Sequence, residues 1–286
     1  MTTIDGTTQL LGIIGDPVAH SLSPVMHNAA LQSLGQNYVY LPFPVLSQHL
    51  PSALAGLAAI GVQGLNVTIP HKQAVIPHLI AIDSAAKAIG AVNTLYRRDP
   101  SGGWIGSNTD WQGFLAPLLT LPIPWDQQTA TILGAGGAAR AVIQACWHLG
   151  VGQVQVVGRS PEGLLALQQQ WPALLIRTWG ELEACLPHTH LLVNTTPIGM
   201  LGKSPNDSPL SLPQLGMLPG GSIVYDLIYT PRPTLLLDQA MRVGLMAIDG
   251  LEMLVQQGSI ALSSWLGSTV PVEVMRQVVL ERLLTP

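Results

Sequence analysis

Short apolar runs alternate along most of the chain with longer stretches of helical spacing. That alternation predicts an α/β protein with largely parallel sheets. Leu11-Gly12-Ile13-Ile14-Gly15 reads as a buried strand. Ser23-Pro24 then opens a helix, with Ser23 as its N-cap, Pro24 as its first helical residue and Gly35 as its stop. The pattern predicts a strand from Tyr38 to Phe43, a helix from Ser47 to Ile60 and a strand from Gln63 to Ile69. A helical stretch follows Pro70, and the segments Val92 to Tyr96 and Trp104 to Ser107 read as hairpin or edge strands.

Leu119 to Gln128, with Pro122 and Pro124, reads as a connection into a second βαβ series. Its expected strands are Thr129 to Leu133, Gln153 to Val157, His190 to Val193, Ser222 to Leu227 and Met246 to Ile248. Leu251 to Leu284 carries only helical periodicity, interrupted by Gly267 and Pro271. The chain therefore divides near Asp110 and returns near Gly250. Residues 1–109 and 250–286 form one domain, into which residues 110–249 are inserted.

Composition narrows the function classes. Of 286 residues, 48% are hydrophobic and only 10% charged, against roughly 25% charged in an ordinary soluble domain. The stretch from Pro17 to His71 has no charged residue, yet Pro24, Pro42, Pro44, Pro51 and Pro70 break it. It is no membrane span, which needs about 20 consecutive apolar residues. A net charge of −4 with no basic cluster excludes the electrostatic footprint of a nucleic-acid binder. Disorder is excluded because disordered chains are rich in charge and poor in apolar residues. Cys146 and Cys185 make neither a disulfide framework nor a zinc spacing. The opening residues, with Asp5 and no basic residue ahead of an apolar core, do not read as a signal peptide. A cytoplasmic protein is the expectation, and a homodimer is compatible with the sequence.

Thr131-Ile132-Leu133-Gly134-Ala135-Gly136-Gly137-Ala138-Ala139-Arg140 runs from an apolar strand through a glycine turn into a helix. The spacing is G-x-G-x-x-A. Gly134 suits the tight turn, Gly136 allows a pyrophosphate close to the backbone, and a small Ala139 lets helix and strand pack. The helix start, Gly137 and Ala138 included, offers N–H groups and a positive dipole end to phosphate. The alternative is a tight turn of purely structural use. The next strand ends in Gly158-Arg159-Ser160 with no acid at its tip. An acid there would bind the ribose 2′-hydroxyl of NAD, whereas Arg159, with the Ser160 hydroxyl beside it, suits the 2′-phosphate of NADP.

Three polar clusters stand out in the charge-poor remainder. They are His20-Ser21-Leu22-Ser23, the run Asn66 to Lys72, and Gly106 to Asp110 preceded by Ala91-Val92-Asn93-Thr94. Asn66 and Thr68 share one face of a strand by period-two geometry. Lys72 is the first cationic side chain of the protein and one of three lysines. Each has an ordinary alternative. Ser23 and Asp110 could be helix N-caps only, Asn66 and Thr68 plain strand residues, and Lys72 a solvated lysine. The eight histidines show no metal-ligand spacing, so no metal is expected; His20, His27 and His71 read as hydrogen-bonded structural residues.

The strings SLSP, NVTIPHK, GAVNT and SNTD, followed by GAGGAAR, NTTPIGM, YDLIY and DGLEMLVQQG, occur in order from residue 21 to residue 258. In that order the chain resembles the shikimate dehydrogenases over nearly its whole length. The resemblance implies a two-domain α/β fold, with a Rossmann-type NADP domain inserted into a substrate-binding domain. It implies NADP-dependent reduction of 3-dehydroshikimate to shikimate, in the route to aromatic amino acids. It further implies that Ser21, Ser23 and Tyr229 hold the substrate carboxylate. Thr68, Lys72, Asn93, Asp110 and Gln257 would meet the ring hydroxyls, with Lys72 and Asp110 as the catalytic pair. On the cofactor side it implies Gly134, Ala135, Gly136, Gly137, Ala138, Arg159 and Ser160, with Leu227 and Gly250 lining the nicotinamide.

The chemistry agrees with these residue types. Ketone reduction needs a hydride and a proton for the forming alkoxide, and a lysine beside an aspartate can give that proton. A polyol needs the convergent donors and acceptors that Ser, Thr, Asn, Asp and Gln supply. The chain departs from the family pattern at Gly158, commonly Asn, at Leu227, often Met, and at Glu252, usually a small residue. One rival is a quinate/shikimate dehydrogenase using NAD, expected to alter the serine pair or replace Arg159 by an acid. The other is a binding protein without chemistry, which need not keep Lys72 and Asp110 together.

Overall fold

The computed structural model describes residues 4–99 and 102–284. The chain divides into two compact units, Met1–Gly113 with Leu254–Pro286, and Phe114–Met253. Both junctions lie four residues beyond the expected Asp110 and Gly250, inside helices that the sequence pattern does not interrupt.

The first unit opens with strand β1 (Gln9–Gly15), whose last five residues are buried. Helix α1 (Ser23–Ser33) buries Ser23, Met26, His27, Ala30 and Leu31, the i, i+3, i+4, i+7, i+8 stripe of an amphipathic helix. Its start differs from the expectation. Leu22, not Ser23, is the N-cap and makes no side-chain cap. The Ser23 N–H instead donates to Ser21 Oγ at 3.2 Å, because Ser23 has already turned into the helix. The helix ends as expected, with the Gly35 N–H on the Gln32 carbonyl and the Gln36 N–H on that of Leu31.

Strand β2 (Tyr38–Pro44) and helix α2 (Leu50–Ala59) follow, then β3 (Gly64–Val67) and the single turn α3 (His71–Ala74). Next come β4 (Ala81–Ile82), α4 (Ser84–Ile89), β5 (Thr94–Tyr96), β6 (Ile105–Ser107) and α5 (Asp110–Leu118). Asp83 caps α4 by accepting from the Ala86 N–H at 2.7 Å. The sheet runs β2-β1-β3-β5-β6-β4. Strands β1, β2 and β3 are parallel, whereas β5 is antiparallel to both β3 and β6. The hairpin therefore lies inside the sheet, its edge position taken by β4, which is too short to show in the hydrophobic pattern. The register places Ile13, Asn66, Thr94 and Ser107 in one row across four strands. Ile14, Leu54, Leu65, Val67, Leu95 and Trp104 belong to the core beneath.

The second unit carries β7 (Thr129–Leu133), α6 (Gly137–His148), β8 (Gln153–Gly158), α7 (Pro161–Gln170) and β9 (Leu175–Thr178). It continues with α8 (Leu182–Cys185), β10 (Leu191–Asn194), α9 (Leu212–Leu215), β11 (Ile223–Asp226), α10 (Leu235–Arg242) and β12 (Met246–Ile248). Every strand pair is parallel, in the order β12-β11-β10-β7-β8-β9. The pattern missed β9, an edge strand of half-buried and exposed residues. Residues of β7, β10 and β11 are almost all fully buried, as expected of strands covered by helices on both faces. The chain closes with α11 (Leu251–Leu266) and α12 (Val272–Leu284), and in the first unit α12 packs along α1. Among the described residues no helix is long and apolar enough to cross a membrane.

Candidate active site

In the first unit the polar row across the sheet becomes a hydrogen-bonded network. Lys72 follows the β3 strand end through the turn at Pro70, where the His71 N–H donates to the Thr68 carbonyl at 2.8 Å. The Lys72 carbonyl accepts from the Val92 N–H at 2.7 Å, which fixes the lysine backbone beside the approach to β5. Its Nζ donates to Asp110 Oδ2 at 2.6 Å. The Lys72 side chain is 18% exposed and that of Asp110 6%, so the lysine keeps more contact with solvent than its partner. Asp110 Oδ1 accepts from Asn93 Nδ2 at 2.8 Å. Both carboxylate oxygens are thus engaged, which offsets the cost of burying the charge. Asp110 is the first residue of α5 and spends its oxygens on Lys72 and Asn93 rather than as a helix cap.

Asn93 is the hub. Its Nδ2 also donates to Thr109 Oγ1 at 3.0 Å and Gln257 Oε1 at 3.3 Å, and its Oδ1 accepts from the Thr109 N–H at 2.8 Å. Thr109 Oγ1 donates to the Gln257 carbonyl at 3.0 Å, tying the start of α5 to α11. Behind this layer Asn66 Nδ2 donates to the Asn93 carbonyl at 3.2 Å, and the Tyr40 hydroxyl donates to Asn66 Oδ1 at 2.7 Å. The Tyr40 phenol also hydrogen-bonds Ser23, and its burial raises its pKa well above the ordinary value. Thr68 lies just past the strand end, half-buried, its N–H on the Ile14 carbonyl. Ser21 uses its oxygen as acceptor for the Ser23 N–H and keeps its hydrogen to donate.

The structure brings together Ser23, Lys72, Asn93, Asp110 and Gln257 through this network, and adds Tyr40, Asn66, Thr94 and Thr109. Asn66, Thr94 and Thr109 lie within the polar clusters of the sequence. Tyr40 gave no signal, being one aromatic among strand residues. His27 corrects the expectation of a hydrogen-bonded histidine. Both ring nitrogens are buried without a partner, the ring stacks on Tyr40 at 4.2 Å, and burial lowers its pKa to about 3. His71 does bond, Nε2 lying 2.6 Å from the Val45 carbonyl oxygen.

In the second unit Gly134 turns the chain at φ +107°, a conformation only glycine adopts without strain. A Cβ there would also fall 2.7 Å from Thr195 Oγ1. Gly136 is the N-cap of α6, no side chain caps that helix, and a Cβ on Gly136 would meet nothing within 4 Å. Open space over uncapped N–H groups fits a dinucleotide pyrophosphate. Gly137 and Ala138 form the first helical turn, and Ala139 packs fully buried. Arg159 and Ser160 are exposed at the tip of β8. The Ser160 hydroxyl caps α7 by accepting from the Gly163 N–H at 3.1 Å and donates to Glu162 at 2.9 Å. Its one hydrogen is therefore already engaged, and Arg159 is left as the charged donor of the pair. At Gly158 a Cβ would lie 3.1 Å from Leu164 Cδ2, so Leu164 fills the space an asparagine would need.

Leu227 and Tyr229 follow β11 and are half-buried, and burial raises the Tyr229 phenol above the ordinary tyrosine value. It is a hydrogen-bond donor at neutral pH. The Gly250 N–H donates to the Ile228 carbonyl at 3.2 Å, and a Cβ on Gly250 would fall 2.5 Å from the Leu227 carbonyl carbon. Leu227 and Gly250 thus share one backbone contact. Among the described residues no group of three His, Cys, Asp or Glu could hold a metal ion.

Comparison with known proteins adds the following. The sequence profile described as "Shikimate dehydrogenase substrate binding domain" matches residues 13–95, and that of the "Shikimate 5'-dehydrogenase C-terminal domain" matches residues 250–280. A Synechococcus sp. (strain JA-2-3B'a(2-13)) protein named shikimate dehydrogenase (NADP(+)) is 60% identical, over 98% of each chain. A crystal structure of a shikimate dehydrogenase in complex with NADP+ superposes with a TM-score of 0.90 at 35% identity, over 99% of each chain. The Thermus thermophilus shikimate 5-dehydrogenase, in complex with NADP(H) and shikimate, gives 0.84 at 35% identity, over 97% of this chain and all (100%) of that one.

Proposed function

The chain belongs to the shikimate dehydrogenase family, and from that premise we propose that it catalyses the reversible NADPH-dependent reduction of 3-dehydroshikimate to shikimate, each step resting on the residues described above. The observation that carries the reading is the Lys72–Asp110 pair at 2.6 Å, presented by a network of neutral donors and acceptors. In this reading the unit of residues 1–113 and 254–286 binds the substrate and the unit of residues 114–253 binds NADP.

When bound, NADPH supplies the hydride. The residues fit that group: an uncapped helix start at Gly136, Gly137 and Ala138 and a tight turn at Gly134-Ala135 for the pyrophosphate, with Arg159 at the β8 tip for the 2′-phosphate. Leu227 and Gly250 would form the apolar floor for the nicotinamide. In the first unit Ser21 and Ser23 offer the substrate carboxylate neutral hydroxyls, and in the second unit Tyr229 offers a neutral phenol donor. Thr68, Asn93 and Gln257 pair with the ring hydroxyls.

Lys72 gives a proton to the oxygen that becomes the new hydroxyl, and in the reverse direction takes it back. Asp110 holds the ammonium in place, and Asn93 holds Asp110, so the donor needs no reorganisation when negative charge develops. Such a site rejects ring analogues lacking a hydroxyl, whose absence would leave buried partners unpaired. The NAD-dependent rival finds no support at β8, where Arg159 rather than an acid follows the strand. Cys146 and Cys185 are free and buried, which suits a reducing compartment such as the cytoplasm.

The test is a matrix of shikimate and quinate against NADP+ and NAD+, followed by nicotinamide absorbance with purified protein. The reading predicts that shikimate with NADP+ gives the highest kcat/KM. Robust turnover of quinate with NAD+ and none of shikimate would reverse both assignments.

A further inference from the structure

Asp226 ends β11 fully buried, and the reaction described above does not use it. Burial pushes its carboxyl up to about 6, against three hydrogen bonds that pull it down. An apolar residue would avoid that cost, so what the carboxylate holds matters. Oδ1 accepts from Asn194 Nδ2 at 3.0 Å and from the Ile228 N–H at 3.2 Å, and Oδ2 accepts from Thr234 Oγ1 at 2.7 Å. Each partner belongs to a different piece of the cofactor side.

Asn194 ends β10, and its Oδ1 accepts from both the N–H and the hydroxyl of Thr196. Its amide is thereby oriented with Nδ2 toward Asp226. The neighbouring Thr195 places its N–H and its hydroxyl on the Leu133 carbonyl at 3.0 and 2.6 Å. Leu133 immediately precedes Gly134, so the β10 loop floors the glycine turn. Ile228 lies between Leu227 and Tyr229, and its carbonyl accepts from the Gly250 N–H. Thr234 is the N-cap of α10, accepting from the Leu237 N–H. One carboxylate thus bolts the exits of β10 and β11 to each other, with those of β7 and β12 bonded to the same loops.

We propose that Asp226 is a positioning residue for hydride transfer: it holds the Leu227–Tyr229 segment in register with the glycine turn, so that the nicotinamide end of the cofactor is seated for reaction. The proposal rests on the reading of Leu227 and Gly250 as the nicotinamide floor. The three donors also explain why a carboxylate stands here, since an asparagine must turn its NH2 toward one of them.

The experiment compares full-length wild type and Asp226→Asn by calorimetric titration with two probes, NADP+ and adenosine 2′,5′-bisphosphate, and by steady-state kinetics. The bisphosphate reports only the half of the site formed by the β8 tip and Arg159. The expected result is bisphosphate affinity within about twofold of wild type, NADP+ affinity lower by about tenfold, and kcat lower by about 10-fold to 10²-fold, the cost of a misplacement near 1 Å. Equal weakening of both probes would show general support of the domain and overturn the proposal, as would unchanged kcat. Should Asp226→Asn fail to fold, Thr234→Val removes one donor to the carboxylate together with the side-chain cap of α10, and the bisphosphate probe separates the two effects. The variant is then expected to lower kcat about threefold to tenfold with the bisphosphate unaffected, and an unchanged kcat overturns the proposal. Wild type that binds neither probe would sink the NADP reading itself, a failure distinct from equal behaviour of wild type and variant.

Discussion

Gly250→Ala adds one methyl group where the backbone leaves no room. The new Cβ would fall 2.5 Å from the Leu227 carbonyl carbon and 3.2 Å from that of Ile228, against an ordinary contact of 3.4 Å or more. No rotamer relieves a Cβ pressed on backbone, so the two segments have to separate by about 1 Å, as overpacking of a tight site requires. The displaced piece carries Leu227 and Tyr229, and the Gly250–Ile228 hydrogen bond lengthens with it. Overpacking of this kind costs about 1–3 kcal/mol of stability. A 1 Å misplacement beside the reacting atoms costs about 10²-fold in turnover. The assay is steady-state oxidation of shikimate by NADP+ alongside a thermal melt of the same preparation. The expected variant is folded, melts earlier and turns over about 10²-fold more slowly. Wild-type turnover in a folded variant would refute the reasoning, because Leu227 would then tolerate displacement and could not floor the nicotinamide.

Three further outcomes are expected. Arg159→Ala raises the KM for NADP+ with little change for NAD+, whereas equal effects on the two cofactors would show that Arg159 does not meet the 2′-phosphate. Acid weakens the fold through His27, whose pKa falls from 6.5 to about 3 on burial. The unfolded state then binds the extra proton, so stability contributed above pH 6.5 is lost as pH falls toward 3, at about 1.4 kcal/mol per pH unit. In urea unfolding between pH 6.5 and 4.5, His27→Gln is expected to lose about 2 kcal/mol less than wild type, and parallel pH slopes would contradict this. Asn93→Ala is expected to lower kcat by at least about tenfold by freeing Asp110, while NADP+ affinity, measured by titration, stays as in wild type; a shift confined to NADP+ affinity would contradict its placement as the hub of the lysine–aspartate pair.

What the sequence showed depended on how local each signal was. The glycine turn at Gly134 to Ala139 was legible because strand, turn and helix are contiguous. The stripe of α1 was legible for the same reason, yet its cap was not, since whether Leu22 or Ser23 is the N-cap depends on one residue's backbone. Lys72 and Asp110 stand 38 residues apart. Spacing alone does not pair them, and the ordered motifs did. Tyr40 and Thr234 escaped notice, and Asn194 and Asp226 stood out only as members of the ordered strings, because a buried polar residue on a strand or cap looks like any other until topology supplies its partner. The edge strands β4 and β9 escaped because half-exposed, short segments carry no periodicity.

The most direct test of the account is turnover of Lys72→Ala with shikimate and NADP+, measured beside its affinity for NADP+. The pair at the centre of the site predicts that kcat falls by about 10²–10⁴, the worth of a positioned acid–base group, while NADP+ binds as in wild type. An unchanged kcat would mean that the proton moves elsewhere, and would contradict the assignment of Lys72.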